Sequence, residues 1–279
     1  MKKNFKSILR LSVFAAAALG LAACGTGDKG GAASSEAASS GSEAEKTVIT
    51  IGASSTPHAE ILEQVKEDLA AEGYDLDIKI FDDYVLPNTA LNDGSLDANF
   101  FQHLPYLENF NKEHGIDLVS VGGVHFEPLG IYPGKAASLD AITEGGKVAI
   151  PNDATNGARA LLLLEAAGLI KLKDGADITA TSKDIVENPK DLEIVELEAA
   201  QVARAVQDVD VAVINANYAL EADFDVEKDS LQSEDKDSEA AQTYANILVV
   251  RAEDQDSDAI KALLSALQSE KVKTFISSP

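Results

Sequence analysis

Residues 99–107, with the sequence NFFQHLPYL, bring together side chains that could bind a small ligand. Phe100, Phe101 and Tyr106 are three of the fifteen phenylalanines and tyrosines of the chain, which has no tryptophan. Together with His103, these rings could hold an apolar ligand body and orient its polar end. The alternative is a strand end packed into the core, with His103 capping the next helix, because buried aromatic residues mostly belong to cores.

Arg159 is the strongest single candidate for binding an anion. It is expected about one turn inside a helix whose next residues, 160–164, are apolar. An arginine in that position can bind a carboxylate through two parallel hydrogen bonds. The alternatives are a salt bridge to Asp153 and an ordinary charge on the helix surface.

Four polar clusters share one position, directly after or at the end of a predicted strand. In open parallel sheets, ligands bind beyond the carboxyl ends of the strands. The amides of the helices that follow can also donate to an anionic group. Each cluster alone could equally be a set of helix N-caps, since Asn and Thr are common there. The clusters are residues 56–60, 101–103, 152–159 and 215–218.

The sequence gives little support to catalysis, cofactors or nucleic acid. It contains no HExxH, no GxSxG, no Walker A motif and no GxGxxG after a strand. The four histidines, His58, His103, His114 and His125, could supply a metal site by number, but their spacing matches no metal motif. The net charge is −24 and lysines and arginines are not clustered, which disfavours nucleic acid. We therefore predict no enzyme activity, no cofactor and no metal.

Strand and helix patterns alternate along the chain from residue 47 onward. A β-branched strand at 48–51 precedes a helix with apolar residues at 61, 62, 65 and 69, and residues 76–81 alternate as the next strand. A strand, a helix and a strand within about 35 residues form a βαβ unit with a parallel sheet. The pattern repeats up to a closing helix over 257–275 and predicts the α/β class.

Two breaker-rich segments, 124–134 and 223–239, suggest that the chain crosses between two lobes. The first lobe would comprise residues 47–125 plus 231–279, the second residues 126–230, with a cleft between them. Residues 223–239 contain many acidic side chains, which we interpret as a solvated surface loop.

The N-terminal residues are typical of a secreted, lipid-anchored protein. Residues 1–10 are basic, and the apolar run 11–23 is too short to span a membrane but suits a signal peptide. The sequence LAAC at 21–24 resembles a bacterial lipobox, which implies cleavage after residue 23, lipid on Cys24 and an extracytoplasmic location at the cell membrane. A plain signal peptide with an incidental cysteine is the alternative. Residues 24–46 then form a Gly/Ala/Ser/Glu-rich flexible tether.

The chain resembles the methionine-binding lipoprotein family of ABC importers, the NlpA/MetQ-type substrate-binding lipoproteins. The resemblance extends over essentially all of residues 47–279, and the aromatic stretch 99–107 is its most specific part. The matching segments are residues 56–62, 83–88, 99–107, 151–153 with 155–156, 159–164, 213–215 with 218–219, and 244–246. The chain departs from the family pattern at Ala154 and Ala158, where the family commonly has proline and glycine.

The resemblance implies a periplasmic-binding-protein-like fold, in which two α/β lobes with mostly parallel sheets close over one free methionine. The methionine, most simply the L form, would pass to a membrane permease and its ATPase. Alternative ligands are D-methionine, a methionine-containing dipeptide or a metal ion, and a surface interaction role is a further alternative. The residues carried over are Tyr84, Phe101 and His103 for the ligand side chain, Asn156 and Arg159 for the carboxylate, and Asn215 and Asn246 for the remaining polar groups.

Overall fold

The computed structural model describes residues 46–237 and 239–277. The predicted signal peptide 1–23, the lipidated Cys24 and the tether up to residue 45 lie outside these residues. Among the described helices, none combines the length and the apolar character that crossing a membrane requires.

Strands and helices alternate along the described chain, as the sequence pattern predicts. The strands are β1 (Thr47–Ala53), β2 (Tyr74–Ile80), β3 (Ala98–His103), β4 (Val119–Phe126), β5 (Gly130–Pro133), β6 (Lys147–Pro151), β7 (Lys171–Leu172), β8 (Ile185–Glu187), β9 (Glu193–Leu197), β10 (Val211–Ile214), β11 (Gln232–Ser233) and β12 (Ala245–Val250). The helices are α1 (Glu60–Ala71), α2 (Leu86–Asn92), α3 (Leu104–His114), α4 (Ala154–Ala166), α5 (Ala199–Val202), α6 (Ala216–Glu221), α7 (Val226–Asp229), α8 (Glu239–Thr243), α9 (Asp258–Leu267) and α10 (Glu270–Ile276).

Two five-stranded sheets organise these elements, in the orders β2-β1-β3-β12-β4 and β11-β5-β10-β6-β9. In the first sheet β12 runs antiparallel to the other four strands, which share one direction. In the second sheet β5 runs antiparallel to the other four strands. The prediction of an α/β fold with mostly parallel sheets is confirmed.

Each sheet has its own hydrophobic core. On the first sheet, α1 buries Ile61, Leu62, Val65 and Leu69 completely, which is the face that the sequence spacing predicts. Phe100 on β3 lies in this core with no exposed surface. Its neighbour Phe101 points to the opposite face of the strand and lies in a separate aromatic cluster, because successive side chains on a strand alternate.

The chain passes from the first sheet to the second between β4 and β5, close to the expected boundary after residue 125. β4 extends to Phe126, one residue beyond that boundary. The return crossing lies later than expected, because β11 pairs with β5, where Gln232 lies opposite Ile131. Assigning residues 231–233 to the first lobe is therefore wrong, since they form an edge strand of the second sheet.

Candidate functional site

A cavity with about 360 Å³ of empty space lies among residues that belong to or follow strands of both sheets. All seven residues that the sequence analysis selects for ligand binding line this cavity. Its lining consists of Tyr84, Phe101, Gln102, His103, Tyr106, Glu127, Asn156, Arg159, Asn215, Ala216, Asn217 and Asn246.

Buried amides hold β3, the strand that supplies Phe101 and His103, against α2. Gln102 donates from Nε2 to Asn88 Oδ1 at 2.6 Å, and Asn88 donates back from Nδ2 to Gln102 Oε1 at 2.9 Å. Asn99 donates to the same Asn88 oxygen at 2.8 Å. These side chains are at most 3% exposed, so their hydrogen bonds are shielded from water and fix the end of the strand.

Three aromatic rings form one wall of the cavity. The ring centroids of Tyr84 and Phe101 are 5.7 Å apart, and those of Tyr84 and Tyr106 are 5.8 Å apart. The Tyr106 hydroxyl donates to the Tyr84 carbonyl oxygen at 3.0 Å, and the Tyr84 hydroxyl donates to Asn217 Oδ1 at 2.5 Å. Burial raises the pKa of Tyr84, so its hydroxyl stays protonated as this donor. The wall is thus apolar in its body and polar only at its edge.

His103 both caps a helix and lines the cavity, so the two interpretations of this residue hold together. Its Nδ1 accepts from the Tyr106 backbone N–H at 3.2 Å, which caps the start of α3. In a neutral imidazole the other nitrogen then carries the hydrogen, so Nε2 donates to Asn156 Oδ1 at 3.1 Å. Burial, and next the charge of Arg159, lowers the pKa of His103 to about 3, and the ring is neutral near pH 7.

Two asparagines leave buried polar atoms without a protein partner among the described residues. Asn215 donates from Nδ2 to Asn156 Oδ1 at 2.9 Å, while its own Oδ1 has no partner. Asn217 accepts the Tyr84 hydroxyl, and its Nδ2 has no partner. Unsatisfied buried polar groups are rare in folded proteins. One unpaired acceptor and one unpaired donor in a cavity wall are what a polar ligand would satisfy.

Arg159 forms a buried ion pair with Glu234. Its Nε and Nη2 donate to Glu234 Oε1 and Oε2 at 2.8 and 2.5 Å, and Nη2 also donates to the Glu127 carbonyl oxygen at 2.9 Å. The guanidinium carbon lies 4.3 Å from the centroid of the Tyr244 ring. Within the described residues, Nη1 has no hydrogen-bond partner, so its two N–H groups remain for a ligand.

This geometry corrects two expectations about charged residues. The protein partner of Arg159 is Glu234 rather than Asp153, which instead caps α4 by accepting from the Asn156 backbone N–H at 2.9 Å. The interpretation of residues 223–239 as a solvated loop is wrong at Glu234, whose side chain is 9% exposed. Glu234 also accepts from the Leu129 backbone N–H at 2.9 Å, so this part of the segment is packed against β5.

Sequence reasoning missed several residues of the cavity. Asn217 stands in the polar cluster after β10 but was not separated from ordinary helix-start residues. Glu127 carried no signal, because one glutamate before a proline is common in loops. Glu234 lies among other acidic residues, and nothing in the sequence distinguishes it from its solvated neighbours.

The chain is similar to several known proteins over most of its length. Residues 49–279 match the family model described as NlpA lipoprotein. A D-methionine-binding lipoprotein MetQ of Salmonella typhi is 47% identical over 213 residues, which cover 75% of this chain and 77% of that protein. A crystal structure of a putative lipoprotein from Ruminococcus gnavus has a TM-score of 0.82 and 56% identity, covering 82% of this chain and 95% of that one. A nutrient binding protein from Burkholderia cenocepacia bound to methionine has a TM-score of 0.77 and 46% identity, with coverage of 82% and 95%.

Two buried histidines make the stability of the fold depend on pH. The pKa of His58 is lowered to about 4 and that of His103 to about 3, in both cases chiefly by burial. In the unfolded chain both titrate near 6.5. The unfolded state therefore takes up protons first as the pH falls, and the free energy of unfolding decreases from about pH 6.5 downward.

Between pH 6.5 and 5 we expect the free energy of unfolding to fall by on the order of 2–3 kcal/mol, because the two histidines take up protons in the unfolded chain. Most carboxyl groups titrate below this window and therefore contribute little to the change. Urea unfolding at several pH values measures it. A constant free energy of unfolding across that window would contradict the neutral, buried state of both rings.

Proposed function

The chain belongs to the NlpA lipoprotein family, and from this membership we propose that it is an extracytoplasmic substrate-binding lipoprotein of an ABC importer that captures free methionine. A relative named as a D-methionine-binding lipoprotein and a solved relative bound to methionine support the ligand. Binding and release are the whole reaction, with no catalytic step.

The observation that carries this proposal is the composition of the cavity wall. The wall combines aromatic rings, an arginine with free N–H groups, and amide atoms that have no partner among the described residues. Methionine has matching parts, namely a thioether, a carboxylate and an ammonium group. Sulfur–aromatic contacts contribute about 0.3–1.5 kcal/mol each, and hydrogen bonds to a charged partner are stronger than neutral ones.

The ligand is assigned to the cavity by the chemistry of each side chain. The thioether lies against the rings of Tyr84 and Phe101, with His103 at the edge. The carboxylate binds the Nη1 group of Arg159 near Asn156. Asn215, through its unpaired Oδ1, and Asn246 complete the polar surroundings of the amino-acid backbone.

The two sheets form lobes that close over the ligand, since the cavity takes side chains from elements of both. The loaded protein passes methionine to a membrane permease and its ATPase. The predicted lipid on Cys24 and the tether that follows keep the protein at the outer face of the cell membrane.

A thermal-shift screen tests the ligand. The purified chain is measured with L-methionine, D-methionine, a methionine dipeptide, leucine and zinc chloride, each alone. At about 100 times the dissociation constant, L-methionine adds about 2.7 kcal/mol to the free energy of unfolding. For a domain of this size that raises the melting temperature by roughly 5–10 °C.

The other outcomes of the screen each identify a rival function. A larger shift with D-methionine or the dipeptide would change the ligand while keeping the transport role. A shift with zinc alone would indicate a metal receptor. No shift with any compound would favour a surface interaction lipoprotein.

The Arg159→Ala substitution is expected to weaken L-methionine binding by at least 30-fold, because it removes the charged donor of the carboxylate. The single variant also leaves the Glu234 carboxylate buried without its partner. A double variant, Arg159→Ala with Glu234→Gln, removes that penalty and separates binding from folding.

Titration calorimetry measures the affinity, and thermal unfolding verifies the fold. Arg204→Ala, at an exposed arginine, serves as the matched control and should bind like the wild type. If the double variant folds and keeps the wild-type dissociation constant, Arg159 does not bind the ligand.

A further inference from the structure

Glu127 is the centre of a buried polar cluster on the cavity wall. The contacts proposed above for the carboxylate and the thioether of methionine do not use this cluster. Its Oε1 lies 2.7 Å from His125 Nε2 and 3.2 Å from His58 Nε2. His58 Nε2 also lies 3.2 Å from Asn246 Oδ1. The side chains of His58, His125 and Glu127 are 1%, 5% and 12% exposed.

The hydrogen bonds define the protonation state of His58. Both neighbours of its Nε2 are acceptor oxygens, so Nε2 carries a hydrogen and donates. Its Nδ1, 2.6 Å from the Ser54 hydroxyl, accepts in the neutral ring. Burial, which outweighs the charge of Glu127, lowers the pKa of His58 to about 4, which agrees with a neutral ring near pH 7.

Glu127 is a buried anion, and His58, one of its two histidine neighbours, is a neutral donor to it. Burial by itself would raise the pKa of this carboxyl, but His58, His125 and Arg159 together hold it below its usual range. Both histidines are within hydrogen-bond distance of Oε1. No hydrogen bond from a described residue reaches Oε2, and Glu127 lines the cavity.

The charged neighbours do not neutralise this carboxylate through a hydrogen bond. Arg159 uses its Nε and Nη2 for Glu234, and its contact with Glu127 is to the backbone oxygen, not to the carboxylate. No lysine lines the cavity. Burying a carboxylate is costly, so a cation supplied by the ligand would offset this cost.

A metal ion is the other cation that two histidines and a glutamate could hold, and the three ligand atoms lie within 4.8 Å of one another. Two ligand atoms on a tetrahedral zinc, each 2.0–2.2 Å from the ion, are about 3.4 Å apart. The 2.7 Å separation of His125 Nε2 and Glu127 Oε1 is instead a hydrogen-bond distance. The geometry favours hydrogen bonding over a shared metal.

We propose that Glu127 binds the ammonium group of the ligand through Oε2, and that His58 and His125 are positioning residues that hold its carboxylate in place. This inference rests on the proposed function and deepens it, because it restricts the ligands to protonated amines. The 2.9 Å contact between Arg159 Nη2 and the Glu127 carbonyl oxygen shows that the two residues proposed to bind the carboxylate and the ammonium group touch each other. An α-amino acid carries its two charged groups in the same adjacent arrangement.

The test compares L-methionine with 4-(methylthio)butanoic acid, which lacks only the amino group, by titration calorimetry. The wild type is expected to prefer methionine by at least 30-fold, the scale for losing one member of a buried charge pair. Glu127→Gln keeps an oxygen for the histidines but loses the charge. It is expected to weaken methionine binding by a similar factor and to reduce the preference to less than about 5-fold.

Variants at the histidines test the positioning role through the same measurement, the preference for L-methionine over the deaminated acid. His125→Phe removes the donor to Oε1, and we expect it to lower the preference for methionine more than the affinity for the deaminated acid. A purely structural residue would weaken both ligands equally, and that result would overturn the positioning role. Glu221→Gln, at an exposed carboxylate outside the cavity, is the matched control and should leave the preference unchanged.

The outcomes separate this inference from the proposed function. Tight methionine binding with equal affinity for the deaminated acid would overturn the ammonium site and leave the methionine receptor standing. No binding of either compound would overturn both. A melting-temperature rise with zinc chloride alone, lost in Glu127→Gln, would replace the ammonium site by a metal site. If Glu127→Gln does not fold, the wild-type preference for L-methionine over the deaminated acid decides whether the ammonium site exists.

Discussion

The ion pair between Arg159 and Glu234 is the interaction on which the site depends. Both side chains are nearly buried, at 4% and 9% exposure, so neither charge can be left alone without a penalty of several kcal/mol. Such a pair adds little net stability compared with apolar residues. Its contribution is geometric, because Glu234 occupies the Nε edge of the guanidinium and leaves Nη1 free.

The ion pair also connects parts of the chain that are distant in sequence. Arg159 lies in α4, and Glu234 follows β11 and accepts from the backbone N–H of Leu129 just before β5. The Tyr244 ring, directly before β12, covers the guanidinium. The cation of the site is therefore fixed from both crossing segments, the places at which two lobes would move relative to each other. Under the proposed function, ligand binding and lobe closure would act on the same few residues.

The remaining polar atoms of the cavity follow from the ends of strands. His103 ends β3, Asn156 lies in the first turn after β6, and Asn215 follows β10. Their side chains bond to one another through Asn156 Oδ1, which leaves Asn215 Oδ1 without a partner. The fold thus brings these hydrogen-bonding groups together but leaves one acceptor, Asn215 Oδ1, without a partner among the described residues.

Local patterns in the sequence predicted the elements and the position of the cavity. The residues carried over from the family include Phe101 and omit Phe100, and strand alternation gives the reason, because Phe100 is core and Phe101 lines the cavity. The position of Arg159 one turn into a helix was also predictable. The ion pair was not, because Glu234 is 75 residues away and resembles its acidic neighbours.

Long-range pairing also explains the other misses. His58 follows β1 and His125 lies in β4, two strands that β3 and β12 separate in the first sheet, and no local pattern encodes that strand order. The closing helix was predicted as one element over 257–275 but divides into α9 and α10, because Ser269 caps the second helix by accepting from the Val272 backbone N–H. A single helix-capping serine is a weaker signal in the sequence than a continuous apolar period, which indicates one helix.

A crystal structure of the chain with L-methionine would show directly which groups hold the ligand. We expect electron density for methionine in the cavity, with its carboxylate on Arg159 Nη1, Glu234 still on the Nε edge, and the thioether against the Phe101 ring. A methionine bound outside this cavity, or a carboxylate that replaces Glu234 on the guanidinium, would contradict it.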